Sequence, residues 1–200
     1  MQPRVRAYRD GDSAVTAALL YESAGGMYDR YAGSRRHAER ALARALPRGG
    51  TTASAEVVRV AELGGLVAGA MSAMPFDEWT PRAQAFLGVM LGSIPPWRWP
   101  SALWLHRVSG RTAPQPPSSS FYVDSLATAE GSRRRGVALA LLEDAESQAR
   151  EHALGSVALD TWIDNRAARA LYVNAGFVEV AFTPAAGGLP GGVSLLKEIG

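Results

Sequence analysis

Two hundred residues, 47% of them hydrophobic and 20% charged, are enough to bury one sizeable core, and the expected organisation is a single soluble domain over residues 1–200. A formal charge of +2 is too slight for a polybasic coat, so no nucleic-acid partner is expected. The absence of cysteine removes disulfides, thiolate nucleophiles and cysteine zinc sites, and His37, His106 and His152 stand too far apart in sequence to suggest a metal site.

The first residues, MQPRVRAYRDGDSA, are charged and lack the apolar core of a signal peptide. Within them VRAY reads as a short strand, and DGDSA supplies caps for a helix over about residues 13–24. A second helix is expected from Ser34 to Leu46, stopping before PRGG. SAEVVRVAEL and LVAGAMSAMPF flank Gly64-Gly65, the pattern of two strands joined by a tight hairpin turn.

The segment that follows, about residues 77–120, carries Trp79, Trp97, Trp99 and Trp104 and the Pro-rich runs IPPWRWP and PQPPSSS. Residues 82–92 have helical character, and the Pro-rich ends are expected as loops, so the segment reads as an insertion or lid. The uncharged residues 83–97 are too few to span a membrane and are broken by Pro95 and Pro96, which points to a cytoplasmic protein with no membrane partner. The tryptophans are candidates for shaping an apolar pocket, covering the core or forming a homodimer contact.

From Phe121 the pattern is regular: strand FYVDSLAT, a helix after Gly136, strand SVALDTW, helix NRAARALYVNA, and strands FVEVAFT and VSLLKE. The glycines around Pro190 lack a following helix and read as a hairpin loop, not a dinucleotide fingerprint. The order β-α-α-β-β-(insertion)-β-α-β-α-β-β indicates an α/β sandwich with a mixed sheet.

Arg133, Arg134 and Arg135 run into the helix whose apolar stripe is Ala138, Leu141, Leu142, Ala145 and Ala149. Positive side chains beside a helix amino end oppose its partial positive charge by roughly 0.3–1 kcal/mol each when exposed. A bound anion resolves the conflict, and Gly136, with no Cβ, lets a phosphate approach the backbone. Solvation of three surface arginines on a loop is the plainer alternative.

TAEGSRRRGVALALL resembles the acetyl-CoA-binding motif of the GNAT N-acetyltransferase superfamily, Arg/Gln-x-x-Gly-x-Gly/Ala, met here as Arg133, Gly136 and Ala138. NRAARALYVNAGF resembles the same family's second motif at Asn165, Ala168, Leu171, Tyr172, Gly176 and Phe177. The resemblance implies a mixed, mostly antiparallel central sheet flanked by helices. It departs from the family pattern at Glu130, Arg134 and Thr128, where Pro, Gly and Val are common, and an Arg at 134 limits any left-handed backbone there.

The resemblance further implies that acetyl-CoA lies in a wedge between FYVDSLAT and SVALDTW. Leu126, Ala127 and Thr128 would hold its pantetheine, the loop residues 133–136 with Val137 and Ala138 its pyrophosphate, and Asn165 and Tyr172 would complete the site. Its chemistry is transfer of an acetyl group to a primary amine of a small molecule or peptide, with backbone N–H near Leu126 as oxyanion donor and Tyr172 as acid for the departing thiolate. Asp124 is the only carboxylate in its strand and the candidate base, with substrate orientation or loop capping as the alternative. Strand alternation would put Tyr122, Asp124, Leu126 and Thr128 on one face and Phe121, Val123, Ser125 and Ala127 on the other. In YESAGGMYDRYAG, a region that walls the acceptor site in the family, Glu22, Tyr28, Asp29 and Tyr31 are candidates to hold a cationic amine, or are ordinary turn and packing residues. A catalytically inactive acyl-CoA-binding module acting as sensor or scaffold is the competing reading.

Overall fold

The computed structural model describes residues 2–112 and 116–200. Its elements run β1 (Arg4–Ala7), α1 (Ser13–Ser23), α2 (Met27–Ala32), α3 (Arg35–Ala45), β2 (Val58–Leu63), β3 (Leu66–Pro75), α4 (Phe76–Leu91), α5 (Trp99–Thr112), β4 (Ser120–Thr128), α6 (Val137–Glu151), β5 (Ser156–Trp162), α7 (Arg166–Asn174), β6 (Val178–Thr183) and β7 (Gly192–Glu198). The strands form one sheet in the order β1-β2-β3-β4-β5-β7-β6. Only the central β4–β5 pair is parallel. This is the expected mixed, mostly antiparallel sheet flanked by helices.

Each face of the sheet has its own core. On one side the α6 stripe of Val137, Leu141, Leu142, Ala145 and Ala149 packs with Phe121, Val123, Val157 and Leu159. The stripe differs from expectation at one place: Val137 is buried and Ala138 turns partly outward. The approach of α6 is close, because a Cβ on Gly69 would lie 2.6 Å from a Val137 methyl and 3.1 Å from the Ala127 carbonyl. On the other side Leu19, Leu20, Leu42 and Leu46 of the α1–α3 layer cover Val58, Val60, Ala70 and Ala127.

The segment between β3 and β4 departs from expectation. Its amino-terminal end is not a loop: α4 begins at Phe76, six residues before the expected helical stretch, and α5 occupies much of what read as Pro-rich connector. The two helical prolines differ in position. Pro100 is the second residue of α5, where a backbone N–H has no helical partner to lose. Pro81 lies inside α4 as its sixth residue and forgoes the bond an N–H there would give the Asp77 carbonyl, a loss set against Asp77 and Glu78 in the first turn and the bond of Arg82 to Glu78 at 2.7 Å. Met90, Ile94 and Ala102 of this segment make a third small core with Ala32, Ala38 and Ala41 of α2 and α3. The PQPPSSS connector lies partly outside the described residues.

Alternation along β4 is also broken. Ser72 pairs with Ser125 but Ala73 pairs with Val123, so Asp124 is an extra residue, a β-bulge. Phe121, Val123 and Leu126 therefore pack on the α6 side and Ala127 on the α1 side, which corrects the simple two-face assignment.

Candidate active site

Strands β4 and β5 pair only from Ser120↔Ser156 to Val123↔Leu159. Beyond that point β4 follows β3 to Thr128↔Gly69, and β5 follows β7 to Trp162↔Gly192. The two strands thus part at Asp124 and Asp160. Ala129 N–H donates to the Ala68 carbonyl at 2.8 Å, which fixes the phase of the β3–β4 ladder. In an antiparallel ladder successive residues face alternately toward and away from the partner, so the backbone groups of Leu126 and Thr128 point into the gap.

The gap opens as a cleft of about 620 Å³. Of the residues expected at a coenzyme, Leu126, Ala127, Thr128, Arg133, Arg134, Gly136, Val137, Ala138, Asn165 and Tyr172 line it, with Asp124 at its inner end. Arg135 is not among the lining residues. The cleft ends at the start of α6, whose N-cap Gly136 has φ 79° and offers no side-chain cap to the first-turn N–H groups. A Cβ there would meet nothing closer than Pro3 at 4.0 Å, so the approach is open. Arg134 is left-handed at φ 59°, the conformation its Cβ disfavours. Arg133, Arg134 and Arg135 are exposed and, among the described residues, form no ion pair. Within the cleft wall the Thr128 hydroxyl is buried without a hydrogen-bond partner. Free helix-end donors, unpaired cations, open strand backbone and an orphaned hydroxyl together suit an elongated anionic ligand.

Asn165 serves two ends at once. Its Oδ1 accepts from Ala168 N–H at 3.2 Å, capping α7, and its Nδ2 donates to Thr161 Oγ1 at 3.2 Å. Tyr172 is 7% exposed, its ring packs on Phe177, and burial followed by the charge of Asp160 pushes its phenol up to about 12.

Asp124 is held by Trp79, whose Nε1–H donates to Oδ1 at 2.7 Å, and by the Ser125 hydroxyl at 3.3 Å from Oδ2. Burial raises its carboxyl to about 6, with the nearby Asp160 adding to the rise and the Trp79 bond opposing it. Asp160, which sequence reading passed over, takes a hydrogen bond from the Tyr122 hydroxyl and is likewise raised by burial. Nothing in SVALDTW distinguishes this Asp from an ordinary polar residue near a strand end. Its place became visible only with the strand split.

The residues expected on the acceptor side separate. Tyr28 and Tyr31 line a second cavity, which also includes Asp124 and Ser125. Glu22 lines the cleft but is exposed and paired with Arg35 at 2.8 Å. Asp29 lines neither space; its Oδ2 accepts from the Tyr21 hydroxyl at 2.6 Å. Among the described residues no helix is long and apolar enough to cross a membrane, and no group of three or more His, Cys, Asp or Glu could hold a metal ion.

A sequence profile of the acetyltransferase (GNAT) family matches residues 27–177. The crystal structure of an N-acetyltransferase from Staphylococcus aureus Mu50 is 18% identical, covers 96% of this chain and 99% of its own, and superposes with a TM-score of 0.74. The crystal structure of another acetyltransferase is 18% identical, with coverages of 98% and 100% and a TM-score of 0.72. That of histone acetyltransferase HPA2 and related acetyltransferase from Corynebacterium glutamicum ATCC 13032 is 19% identical, with coverages of 98% and 96% and a TM-score of 0.63. At such identities the likeness speaks for the fold alone. No curated protein matches the chain.

Proposed function

Since the chain belongs to the acetyltransferase (GNAT) family, we propose that it moves an acetyl group from acetyl-CoA directly to a primary amine of a small molecule or peptide. The observation that carries this reading is the parting of β4 and β5 into a cleft that ends on the uncapped start of α6.

The residues present suit the coenzyme. First-turn N–H groups of α6, with Arg133 and Arg134 beside them, would hold the pyrophosphate, and the open backbone of Leu126 and Thr128 would pair with the pantetheine amides. Acetyl-CoA, when bound, supplies an acyl group activated as a thioester. Asp124, a carboxylate above pH 6 or so, takes the proton that an ammonium must lose before its nitrogen can attack. Leu126 N–H donates to the carbonyl oxygen as negative charge gathers there. Tyr172, kept protonated by its raised pKa, gives a proton to the departing sulfur. The products are the N-acetylated amine and the CoA thiol.

Calorimetric titration of the purified protein with acetyl-CoA, followed by an amine screen reading released thiol, tests the reading. Binding in the micromolar range with transfer to an amine supports it. Binding without transfer to any amine would replace it with the non-catalytic, acyl-CoA-binding alternative.

A further inference from the structure

Helices α4 and α5 carry no part of either sequence motif, yet they wall the second cavity, of about 280 Å³. Asp124 and Ser125 line both this cavity and the cleft, so the two spaces adjoin at the candidate base. We infer that the cavity receives the acceptor, and that the acceptor is a compact monoamine with an uncharged apolar body, an arylalkylamine or alkylamine, in preference to a polyamine or a peptide. The inference rests on the acetyl-transfer reading above and narrows its substrate class.

Size is the first argument. At about 280 Å³ the cavity lies just below the range of about 300–1,000 Å³ typical of small-ligand pockets, which favours a compact acceptor over a peptide segment.

Charge placement is the second. Among the described lining residues Asp124 is the only carboxylate. Its bonds from Trp79 and Ser125 fix that charge at the end shared with the cleft. From Trp79 the wall continues along α4 through Ala83, Phe86, Leu87 and Met90, steps of four, seven, eight and eleven residues that keep to one helix face. At about 1.5 Å per residue that face carries the wall roughly 16 Å away from the carboxylate. An amine anchored at Asp124 therefore lays its body along an aromatic and aliphatic surface. A second ammonium at the far end would meet no carboxylate among the described lining residues, where the polar groups are the His106 ring and hydroxyls such as that of Tyr31, itself bonded to Ser109 at 2.8 Å.

The test is direct binding to the full chain, with and without CoA, by calorimetry, using 2-phenylethylamine, hexylamine, 1,6-diaminohexane and trialanine. The expected result is that the two monoamines bind at least ten-fold tighter than the diamine and the peptide. Ala83→Phe, which fills the wall, should weaken 2-phenylethylamine at least ten-fold while leaving CoA affinity unchanged. In transfer assays each methylene added from methylamine to hexylamine should raise kcat/KM about four-fold. Phe86→Ala should move the preferred chain length upward, a readout that a general loss of folding would not produce. Equal or tighter binding of the diamine or trialanine, or no binding of either monoamine, overturns the inference. Failure to bind acetyl-CoA, or transfer to no amine at all, overturns the acetyl-transfer reading; efficient transfer to trialanine with CoA binding intact overturns the acceptor assignment alone.

Discussion

The cleft between β4 and β5 opens where two strands part and ends on a helix start, whereas the cavity under α4 and α5 is lined along one face of α4. The first gets its chemistry from peptide groups whose direction follows from where two strands part. The second gets its chemistry from what happens to stand on one face of α4. A site made of main chain tolerates many sequences around a few fixed positions. A site made of side chains changes its ligand with each substitution.

Changes at the cleft should act on coenzyme binding, and changes at the junction with the cavity should act on turnover. The largest expected effect is that of Gly136→Asp, which sets a negative charge and a Cβ at φ 79°, where the anion is expected. Acetyl-CoA affinity should fall by more than about 100-fold in calorimetry, equivalent to at least ~2.7 kcal/mol. An unchanged affinity would break the comparison at its root.

Asp124→Asn should come next. Loss of a general base costs roughly 10²–10⁴-fold in kcat/KM, and the acidic limb of the pH profile, falling below about 6, should vanish with it. Stability should move the other way. Because the folded pKa lies above the usual carboxylate value of 3.8, the native state holds this proton more tightly than the unfolded chain. Stability is therefore lost as pH rises from about 4 to about 6 and stays lower above that. Removing the charge should return about 1–2 kcal/mol at pH 8, after discounting for partial exposure to the cleft, read as a higher melting temperature. A melting temperature that falls at pH 8 would mean that the carboxylate is a structural anchor.

Tyr172→Phe should lower kcat about ten-fold or more while acetyl-CoA affinity stays within about three-fold. Equal turnover in variant and parent would leave Tyr172 as the partner of Phe177 and nothing more. Smallest of all, Arg134→Gly should relieve the left-handed strain at φ 59° and weaken the coenzyme two- to five-fold, with a net stability change under about 1 kcal/mol because glycine also gains freedom in the unfolded chain. If the affinity does not change, Arg134 is a solvated loop residue.

The same division governs what the sequence disclosed. Gly136, Ala138, Asn165 and Tyr172 were singled out because they stand in two stretches that resemble family motifs, and all four line the cleft. Arg134 read as an obstacle to a left-handed turn, yet the chain takes that turn regardless. Most of α4 was legible from residue 82 on, but its first six residues and α5 were missed, since Pro81 and Pro100 signal breaks and where the helices begin depends on where β3 ends. The bulge at Asp124 was illegible for a different reason. FYVDSLAT alternates well enough by itself, and only pairing with β3 reveals the extra residue.

That extra residue gives β4 a fixed length. Deleting one position after Asp124, or adding one, would exchange the sides on which Leu126 and Ala127 stand and turn the peptide groups of Leu126 and Thr128 away from the gap. The turn at residues 92–98 between α4 and α5 carries no strand register, but it is anchored too, by Ile94 in the third core and by the bond of Arg44 to the Gly92 carbonyl at 3.0 Å. A protein engineer seeking a new acceptor would therefore find the latitude in substitutions along the cavity-facing side of α4, and none for insertions in the strand.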